Sequence, residues 1–564
     1  MGGPGRKVRQ GRIAPRAAPC HLPRFCRIEP LYKGEGYSRS PSREERPGKN
    51  GPGRTAREER PGRTGGRGTA SAFAKVNHSH RQKPRRWQRF LLIGALAGFG
   101  AAAGLAPTAR AAVFNPQTFT LANGLTVVVI ENHRMPVVRQ MLFYRVGSAD
   151  DPPGKSGVAH YLEHLMFKGT RTAKPNEFSK IVARNGGRDN AFTSPDATGY
   201  YQTVASDRLE LVMRMEADRM ANLVVDPKEA APELKVVVEE RRSRTDNRPS
   251  AQLAEQITAA LYVIYPYRIP IIGWAHELEK LTLADAMAFY RKFYAPNNAV
   301  LVITGDITVD QVRPLAEKYY GPIPSGPKIT RRANLAEPPQ RVARRVILRS
   351  PRVREPRWSR DYLAPSRGQG RGRRADALEM LDVILGSGAT SRLYRALVIE
   401  NKLALSVGTF YDADMLGPTA FGIHARPKQG VALATLEAAI EAEIAKLLAH
   451  GVTEAEVKAA KKRLLAGAIF ARDSLRRGAS AIGTALTSGQ TIADVENWPD
   501  YIKKVTPAQI LEAAREVFRI ERSVTGLLLP AAKSAAESRA KSKKDVAAKK
   551  MAKPGGGPRP GRDK

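Results

Sequence analysis

The chain has 564 residues and carries 93 Lys and Arg against 54 Asp and Glu, which gives a formal net charge of +39. Hydrophobic residues make up 42% of the sequence, so the chain can build sizeable cores, and its length favours more than one domain. Most of the excess positive charge lies at the two ends, where no aromatic platform or recognition motif accompanies it. The charge therefore favours solvated tails over specific nucleic-acid binding.

Both ends of the chain have the composition of disordered segments. Residues 1–82 are rich in Arg, Gly, Pro and Ser, and residues 531–564 are rich in Lys, Ala and Gly. Neither segment keeps a hydrophobic period, so neither can bury enough surface to offset the entropy lost on ordering. The two cysteines, Cys20 and Cys26, both lie in the first segment. The rest of the chain would therefore tolerate an oxidising compartment.

Residues 83–111 have the pattern of a secretory signal peptide. A basic flank precedes an apolar run, and small residues follow at Ala109 and Ala111. This pattern predicts cleavage near Ala111–Ala112 and an exported, periplasmic protein. An uncleaved anchor that holds the protein to the membrane is the alternative. Because such a segment normally starts a chain, we expect translation to begin closer to it, for example at Val76.

From about Val113 the sequence becomes globular and alternates strands with helices. A strand, an Asn-Gly turn and a second strand come first. The stretch "SGVAHYLEHLMFKG" predicts a helix, with Ser156 as its N-cap and Gly169 just beyond its end. Further elements are a helix at 176–187, strands at 189–205, amphipathic helices at 207–225 and 231–247, and a helix, turn and strand at 282–307.

A proline-rich segment divides the globular part into two. Residues 321–345 contain five prolines and no hydrophobic period, which predicts a linker between domains at 113–320 and 346–530. The pattern of the second domain predicts two strands, two helices, two strands and long helices at 429–450 and 453–475. This order loosely repeats the first domain. We therefore expect an α+β fold of two homologous α/β-sandwich domains, each a mixed, mostly antiparallel sheet with helices packed on it.

The motif "HYLEH" in the first predicted helix can hold a metal ion. Residues i and i+4 stack on one helix face, so His160 and His164 project together, with Glu163 beside them. Imidazole suits zinc, and a nearby carboxylate can deprotonate a zinc-bound water. The order H-x-x-E-H is the inverse of the zincin motif. A polar helix face with no metal would give the same pattern, so a third ligand is needed to decide.

Candidates for the third ligand lie in "PELKVVVEERRSRTDN". Glu233 and Glu240 are two helical turns apart and share a face, whereas Glu239 points about 100° away. Glu240 could bind the metal while Glu233 supports a histidine ligand. A solvated face that pairs these glutamates with the neighbouring arginines is the alternative. The spacing alone leaves both interpretations open.

Several motifs together resemble the pitrilysin/insulinase family of inverzincin metallopeptidases, in particular the bacterial branch similar to mitochondrial processing peptidase. They are "GVAHYLEHLMFKGT", "NGGRDNAFTSPDATGYY", "EADRMANL", "ELKVVVEERRSRTDNRPS" and "YAPNNAVLVITGDI". The resemblance covers roughly residues 115–525 and implies a zinc endopeptidase with one Zn²⁺ per chain. It further implies that His160, His164 and Glu240 bind the zinc, that Glu163 is the general base, and that Glu233 is a supporting acid.

The resemblance also implies a peptide-binding strand. The family's "NAFT" segment corresponds here to Asn190, Ala191, Phe192 and Thr193. There it forms an edge strand against which an extended substrate lies. Backbone pairing of this kind binds peptides of many sequences.

One departure from the family pattern predicts a partner. One-chain members carry an arginine and, seven residues later, a tyrosine near the substrate carbonyl, but Val398 and Leu405 stand at these places in "LVIENKLALSV". Neither side chain can donate a hydrogen bond to a developing oxyanion. We therefore predict a heterodimer with a homologous, zinc-less subunit that supplies the pair. Two other functions stay open: a non-catalytic structural subunit of the same fold, and binding of anionic polymers by the basic tails.

Overall fold

The computed structural model describes residues 113–331 and 335–531. The expected disordered segment 1–82, the signal segment 83–111 and nearly all of the basic tail lie outside these residues. The described part is a mixed α/β fold with two sheets and many helices, as the sequence predicts. Within it, no helix is both long and apolar enough to cross a membrane.

Two sheets organise the two halves of the fold. The strands of the first half are β1 (Gln117–Thr120), β2 (Thr126–Glu131), β3 (Val137–Tyr144), β4 (Arg188–Thr193), β5 (Thr198–Ala205) and β6 (Ala299–Gly305). Those of the second half are β7 (Arg344–Ser350), β8 (Arg357–Ala364), β9 (Ala404–Tyr411), β10 (Thr419–Pro427) and β11 (Ser523–Pro530). The first sheet has the order β1-β2-β6-β3-β5-β4, and the second has the order β7-β11-β8-β10-β9.

Helices are distributed over both halves. The first half contains α1 (Val158–Leu165), α2 (Glu177–Arg184), α3 (Leu209–Asn222), α4 (Pro227–Arg241), α5 (Pro249–Leu261), α6 (Ala275–Leu278), α7 (Leu283–Phe293) and α8 (Val309–Tyr319). The second half contains α9 (Gly372–Leu385), α10 (Arg392–Tyr394), α11 (Leu433–His450), α12 (Glu454–Ala471), α13 (Leu475–Thr487), α14 (Ile492–Lys504) and α15 (Pro507–Val517). Two π-helical turns, Arg242–Asp246 and Arg395–Glu400, directly follow α4 and α10.

The strand topology repeats between the halves. Apart from β1, each sheet places its strands in the chain order first, fifth, second, fourth, third. In each sheet the first and fifth strands pair in parallel and all other neighbours are antiparallel. The loose repeat of elements along the sequence is therefore a repeat of one topology.

The two halves exchange a helix. Alternate residues of the first sheet face opposite sides: Leu142 packs with the helices of its own half, whereas Phe143 packs with α13 from the second half. Conversely, α5 of the first half packs on β11 and β7 of the second sheet. Glycines permit both close approaches, because a Cβ at Gly483 would lie 2.1 Å from the Phe143 ring and one at Gly526 would lie 2.2 Å from Ile257 Cδ1.

The proline-rich connection lies against both halves. The Arg331 guanidinium donates to the carbonyl oxygens of Thr487 and Asp196, each at 2.8 Å. The Glu337 carboxylate accepts a hydrogen bond from the backbone N–H of Val263 at 2.8 Å. The strand β7 begins at Arg344, just inside the predicted linker.

Candidate metal centre

Helix α1 is completely buried, and the side chains of its two histidines lie close together. All eight of its residues are buried, and the ring centroids of His160 and His164 lie 4.9 Å apart. The carboxylate of Asp151 binds the start of the helix, since it accepts from the N–H of Gly157 at 2.6 Å and from that of Ala159 at 3.0 Å. These contacts satisfy backbone donors that a helix start otherwise leaves unpaired.

The capping residues predicted for this helix are wrong. Helix α1 begins after Gly157, which adopts a left-handed φ of +88°, and the Ser156 hydroxyl instead accepts from the backbone N–H of Trp274 at 2.9 Å. A Cβ at Gly157 would lie 2.6 Å from the carbonyl oxygen of Ile272, so the backbone of this loop excludes any larger residue. The helix ends at Leu165, well before Gly169.

Helix α4 brings two carboxylates to the histidines. Oε2 of Glu240 lies 3.2 Å from Nε2 of His164 and 3.8 Å from Nε2 of His160. Oε1 of Glu233 lies 2.7 Å from Nδ1 of His164. The side chain of Glu239 is 60% exposed and pairs with Arg242 at 3.1 Å. The structure therefore brings Glu233 and Glu240 together on the face that the two-turn spacing predicts and turns Glu239 away.

The donor atoms of His160, His164 and Glu240 fit a zinc ion. They all lie within 4.8 Å of one another, and no other such group of three His, Cys, Asp or Glu residues occurs in residues 113–331 and 335–531. Both ring nitrogens of His160 are buried without a hydrogen-bond partner. Burial and the neighbouring His164 lower the pKa of His160 to about 3, so its imidazole is neutral. Two imidazoles and a carboxylate are a known ligand set of catalytic zinc.

Glu163 lies beside these donors in a buried position. Its Oε2 accepts a hydrogen bond from the hydroxyl of Thr193 at 2.6 Å. Burial raises the pKa of Glu163 to about 7, against the opposing effects of His164 and Thr193. A carboxyl group whose pKa lies near neutrality can both accept and release a proton.

Thr193 is the last residue of β4, which forms an edge of the first sheet. Ala191 and Phe192 are buried, and a Cβ at Gly199 on β5 would collide with the Phe192 ring at 2.5 Å. Asn190 is partly exposed. These contacts pack β4 against the sheet. The outer edge of β4 has no strand neighbour among the described residues.

Comparison with known proteins identifies the family. The family profile for insulinase (peptidase family M16) matches residues 126–274, and that for the peptidase M16 inactive domain matches residues 280–464. Zinc protease PqqE of Helicobacter pylori is 30% identical over 419 residues, which cover 73% of this chain and 93% of that protein. The chain belongs to peptidase family M16. An uncharacterized zinc protease of Mycobacterium leprae is 28% identical over 407 residues, or 71% of this chain and 88% of that protein.

Solved structures carry the same fold. A crystal structure of a protease from Helicobacter pylori is 29% identical, with a TM-score of 0.70, and covers 74% of this M16 chain and 99% of its own. The periplasmic protease PqqL from Escherichia coli is 20% identical, with a TM-score of 0.63, and covers 79% of this chain but 51% of its own. This M16 chain therefore corresponds in fold to about half of the longer protein.

Two basic residues pair with the glutamates of the site in this M16 protein: Arg244, one of the neighbouring arginines that the sequence offered as partners, and Lys168, which the sequence did not single out. Nζ of Lys168 lies 2.6 Å from Oε2 of Glu233, and Nη1 of Arg244 lies 2.6 Å from Oε1 of Glu240. Burial alone would raise the pKa of Glu240, but its contacts with His164, His160 and Arg244 hold that pKa below its usual value.

The neighbouring Arg241 fixes the end of α4. Its guanidinium is buried, and it binds the carboxylate of Glu255 on α5 at 2.8 and 3.0 Å and the carbonyl oxygen of Gly273 at 2.7 Å. The same Gly273 lies against Gly157 at the start of α1. Arg241 therefore ties α4 to the loop that holds α1. The adjacency "EER" is the one sequence feature that could have indicated an anchor beside Glu240.

Proposed function

We propose that this M16 chain is an exported, zinc-dependent endopeptidase that cleaves peptides or unfolded protein segments and needs a homologous partner subunit. The observation that carries the proposal is the convergence of His160, His164 and Glu240 beside a buried Glu163. Two further observations support it: homologues are named zinc proteases, and PqqL, which shares the fold, is a periplasmic protease.

The chain's own residues supply binding, orientation and proton transfer. His160, His164 and Glu240 would hold the zinc ion, which when bound lowers the pKa of a water molecule and polarises the substrate carbonyl. The Glu163 carboxylate would accept a proton from an attacking water molecule and later give it to the leaving amine. The Thr193 hydroxyl holds this carboxylate at one oxygen.

Partners behind the ligands fix their orientation. The Glu233 carboxylate accepts the Nδ1–H of His164, so Nε2, which lies 3.2 Å from Oε2 of Glu240, is the nitrogen that would bind the metal. Lys168 neutralises the second oxygen of Glu233. This arrangement keeps the imidazole ring of His164 turned towards Glu240.

The peptide substrate would add to the sheet along β4. An unpaired strand edge offers backbone N–H and C=O groups that bind an extended segment of almost any sequence. Asn190, Ala191, Phe192 and Thr193 form this edge, and Thr193 joins it directly to Glu163. The substrate is therefore bound chiefly through its backbone.

A partner subunit would supply the missing oxyanion donors. Val398 lies in the π turn after α10, packed against the second core, and Leu405 lies on β9 with half of its surface exposed. Neither can donate a hydrogen bond. PqqL, of which this chain covers 51%, carries this fold within a longer single chain. The match to an inactive domain covers residues 280–464 and leaves His160, Glu163, His164 and Glu240 outside it.

A Glu163→Gln variant tests this function. We expect the purified chain to bind one zinc ion and, with its partner, to cleave an unfolded polypeptide. Glu163→Gln should lower the cleavage rate by on the order of 100- to 10,000-fold, because the proton carrier is lost. Zinc content should stay the same. Glu239→Gln, an exposed change on α4, is the matched control. Undiminished cleavage by Glu163→Gln, or no bound zinc in the wild type, would refute the proposal.

A further inference from the structure

The first described residues of the chain bind a carboxylate from the other half of the fold. The backbone N–H of Val113 donates to Oε2 of Glu496 at 2.7 Å, and that of Phe114 donates to Oε1 at 2.9 Å. Glu496 lies on α14 and follows Val113 by 383 positions in the chain. Two consecutive N–H groups thus engage both oxygens of one carboxylate.

The side chains of Val113 and Phe114 also pack against the fold. Val113 is only 6% exposed. The ring of Phe114 packs with the cluster between the first sheet and α13, where a Cβ at Gly478 would lie 3.3 Å from it. A cavity of about 350 Å³ opens beside both residues and is lined by His133 and Arg134. The space next to Val113 can therefore accommodate an amino terminus.

The sequence just before Val113 carries the small residues that a signal peptidase prefers, at Ala109 and Ala111. The two residues that Glu496 binds thus directly follow the predicted cleavage region. We propose that the chain is processed between Ala111 and Val113, and that Glu496 on α14 is the receptor for the new amino terminus. This inference rests on the export that is part of the proposed function.

The chemistry of processing creates the group that Glu496 would bind. A leader peptidase of the exporting cell adds one water molecule across the amide bond, which leaves a carboxylate on the released segment and an ammonium group on Ala112, the residue directly before the Val113 N–H that Glu496 binds, or on Val113 itself. A carboxylate binds an ammonium group more strongly than it binds a neutral amide. Processing therefore strengthens the link between the start of the first sheet and α14.

The mature terminus locates the processing site directly. The exported protein is purified from cells that secrete it, and its first residue is read from intact mass and N-terminal sequencing. We expect Ala112 or Val113. A protein that keeps residues before Ala111, or one that starts beyond Phe114, would overturn the processing site. Zinc content and peptide cleavage of the same sample report on the peptidase function separately.

A Glu496→Gln variant tests the receptor. An aminopeptidase should trim the residues before Pro116 about tenfold faster in Glu496→Gln than in the wild type. That ratio corresponds to about 1.4 kcal/mol, near the lower end for a hydrogen bond to a charged group. Glu279→Gln, an exposed change in the first half, should trim like the wild type, and Glu496→Asp should lie between them.

A second comparison isolates the charge at the terminus. In a chain whose first residues are preceded by a short Gly-Ser extension, the ammonium group lies away from Glu496, and Glu496→Gln should then change the trimming of the extension less than twofold. Thermal unfolding confirms that every variant is folded. If wild type and Glu496→Gln are trimmed at the same rate in the chain without the extension, Glu496 is not the receptor for the amino terminus.

Discussion

Two of the three proposed metal ligands, His164 and Glu240, have a charged neighbour that fixes their orientation. For His164 that neighbour is Glu233, which accepts from Nδ1 at 2.7 Å and is itself held by Lys168. Such supporting carboxylates set both the ring orientation and the basicity of a histidine ligand. The affinity of the site for zinc should therefore depend on a residue that does not touch the ion.

A Glu233→Ala variant tests this dependence. We expect zinc affinity to fall roughly 10- to 100-fold, because His164 loses the acceptor at Nδ1. Competition with a chromophoric chelator measures the affinity. Glu239→Ala on the same helix is the control, since its side chain is 60% exposed and pairs with Arg242. Equal affinities of the two variants would show that Glu233 has no supporting role.

The buried carboxyl of Glu163 should make the zinc-free protein less stable as pH rises. Burial raises its folded pKa from 4.5 to about 7, so the folded state binds the proton more tightly than the unfolded state. Stability from this group is fully present below pH 4.5 and is lost between pH 4.5 and 7. Glu163→Gln removes this loss.

Denaturation of zinc-free wild type and Glu163→Gln at pH 5 and pH 8 measures the effect. The variant should gain stability relative to the wild type by up to about 3 kcal/mol between these values. If the difference in stability between the variant and the wild type is the same at pH 5 and pH 8, the pKa of Glu163 is not raised. The same substitution thus lowers activity and raises neutral-pH stability, as a residue kept for chemistry should.

Helical spacing explains which site residues the sequence could predict. His160 and His164, and Glu233 and Glu240, each lie on one helix face, so their convergence needs only the period of the helix. The contact of Thr193 with Glu163 joins residues 30 positions apart, and its geometry depends on how β4 packs against α1. No local pattern encodes such a contact.

At the level of elements, the repeat gives the second half a counterpart of α1, but among the described residues the candidate metal ligands occur in the first half. Helix α9 holds in the second half the place that α1 holds in the first, after the second strand of its sheet. Its Asp376 and Glu379 have the spacing of the first histidine and glutamate of "HYLEH". The guanidinium of Arg367 binds both carboxylates, at 2.8 Å in the case of Asp376. A buried cation of the chain itself thus neutralises this polar face.

The exchange of α5 and α13 joins the metal centre to the rest of the fold. Helix α5 follows the π turn after Glu240, and its Glu255 binds Arg241. The segment that positions Glu240 therefore also covers the second sheet. π turns often occur at functional sites, where they shift side chains from the regular helical positions.

A substitution at Gly483 tests the contact of α13 with the first sheet. A Cβ there would lie 2.1 Å from the ring of Phe143, so Gly483→Ala should lower the free energy of unfolding by about 1–3 kcal/mol. Gly467→Ala on α12 is the matched control, because no atom lies within 4 Å of its Cβ position. That change should stabilise its helix by roughly 0.5–1 kcal/mol. Equal stabilities by denaturant titration would contradict the close packing.

At the scale of the molecule, composition and periodicity predicted the α+β class and the repeat, because alternating strands and amphipathic helices leave a strong local pattern. They could not predict the exchange of α5 and α13, since both helices look like ordinary amphipathic helices of their own halves. Which sheet a helix covers depends on tertiary packing. The reason for a glycine at 483 and at 526 therefore becomes apparent only once the sheet that each helix covers is known.

The composition of the active unit depends on Val398 and Leu405. If Val398 and Leu405 leave the chain without oxyanion donors, each copy holds only the metal half of an active site, and pairing two copies adds nothing. Putting an arginine and a tyrosine at these positions should let two copies complete each other. The exposed position of Leu405 on β9 can take a tyrosine without overpacking the core.

We therefore expect the double variant Val398→Arg/Leu405→Tyr to cleave an unfolded polypeptide without a partner, at least about tenfold faster than the wild-type chain alone, since one oxyanion donor contributes on the order of 100-fold or more. Adding Glu163→Gln to the double variant should abolish the gain, which shows that the original metal centre performs the cleavage. Sedimentation of the variant should report pairing of copies in the active sample. Full activity of the wild-type chain alone would contradict the need for a partner subunit. It would mean that cleavage does not require oxyanion donors at positions 398 and 405.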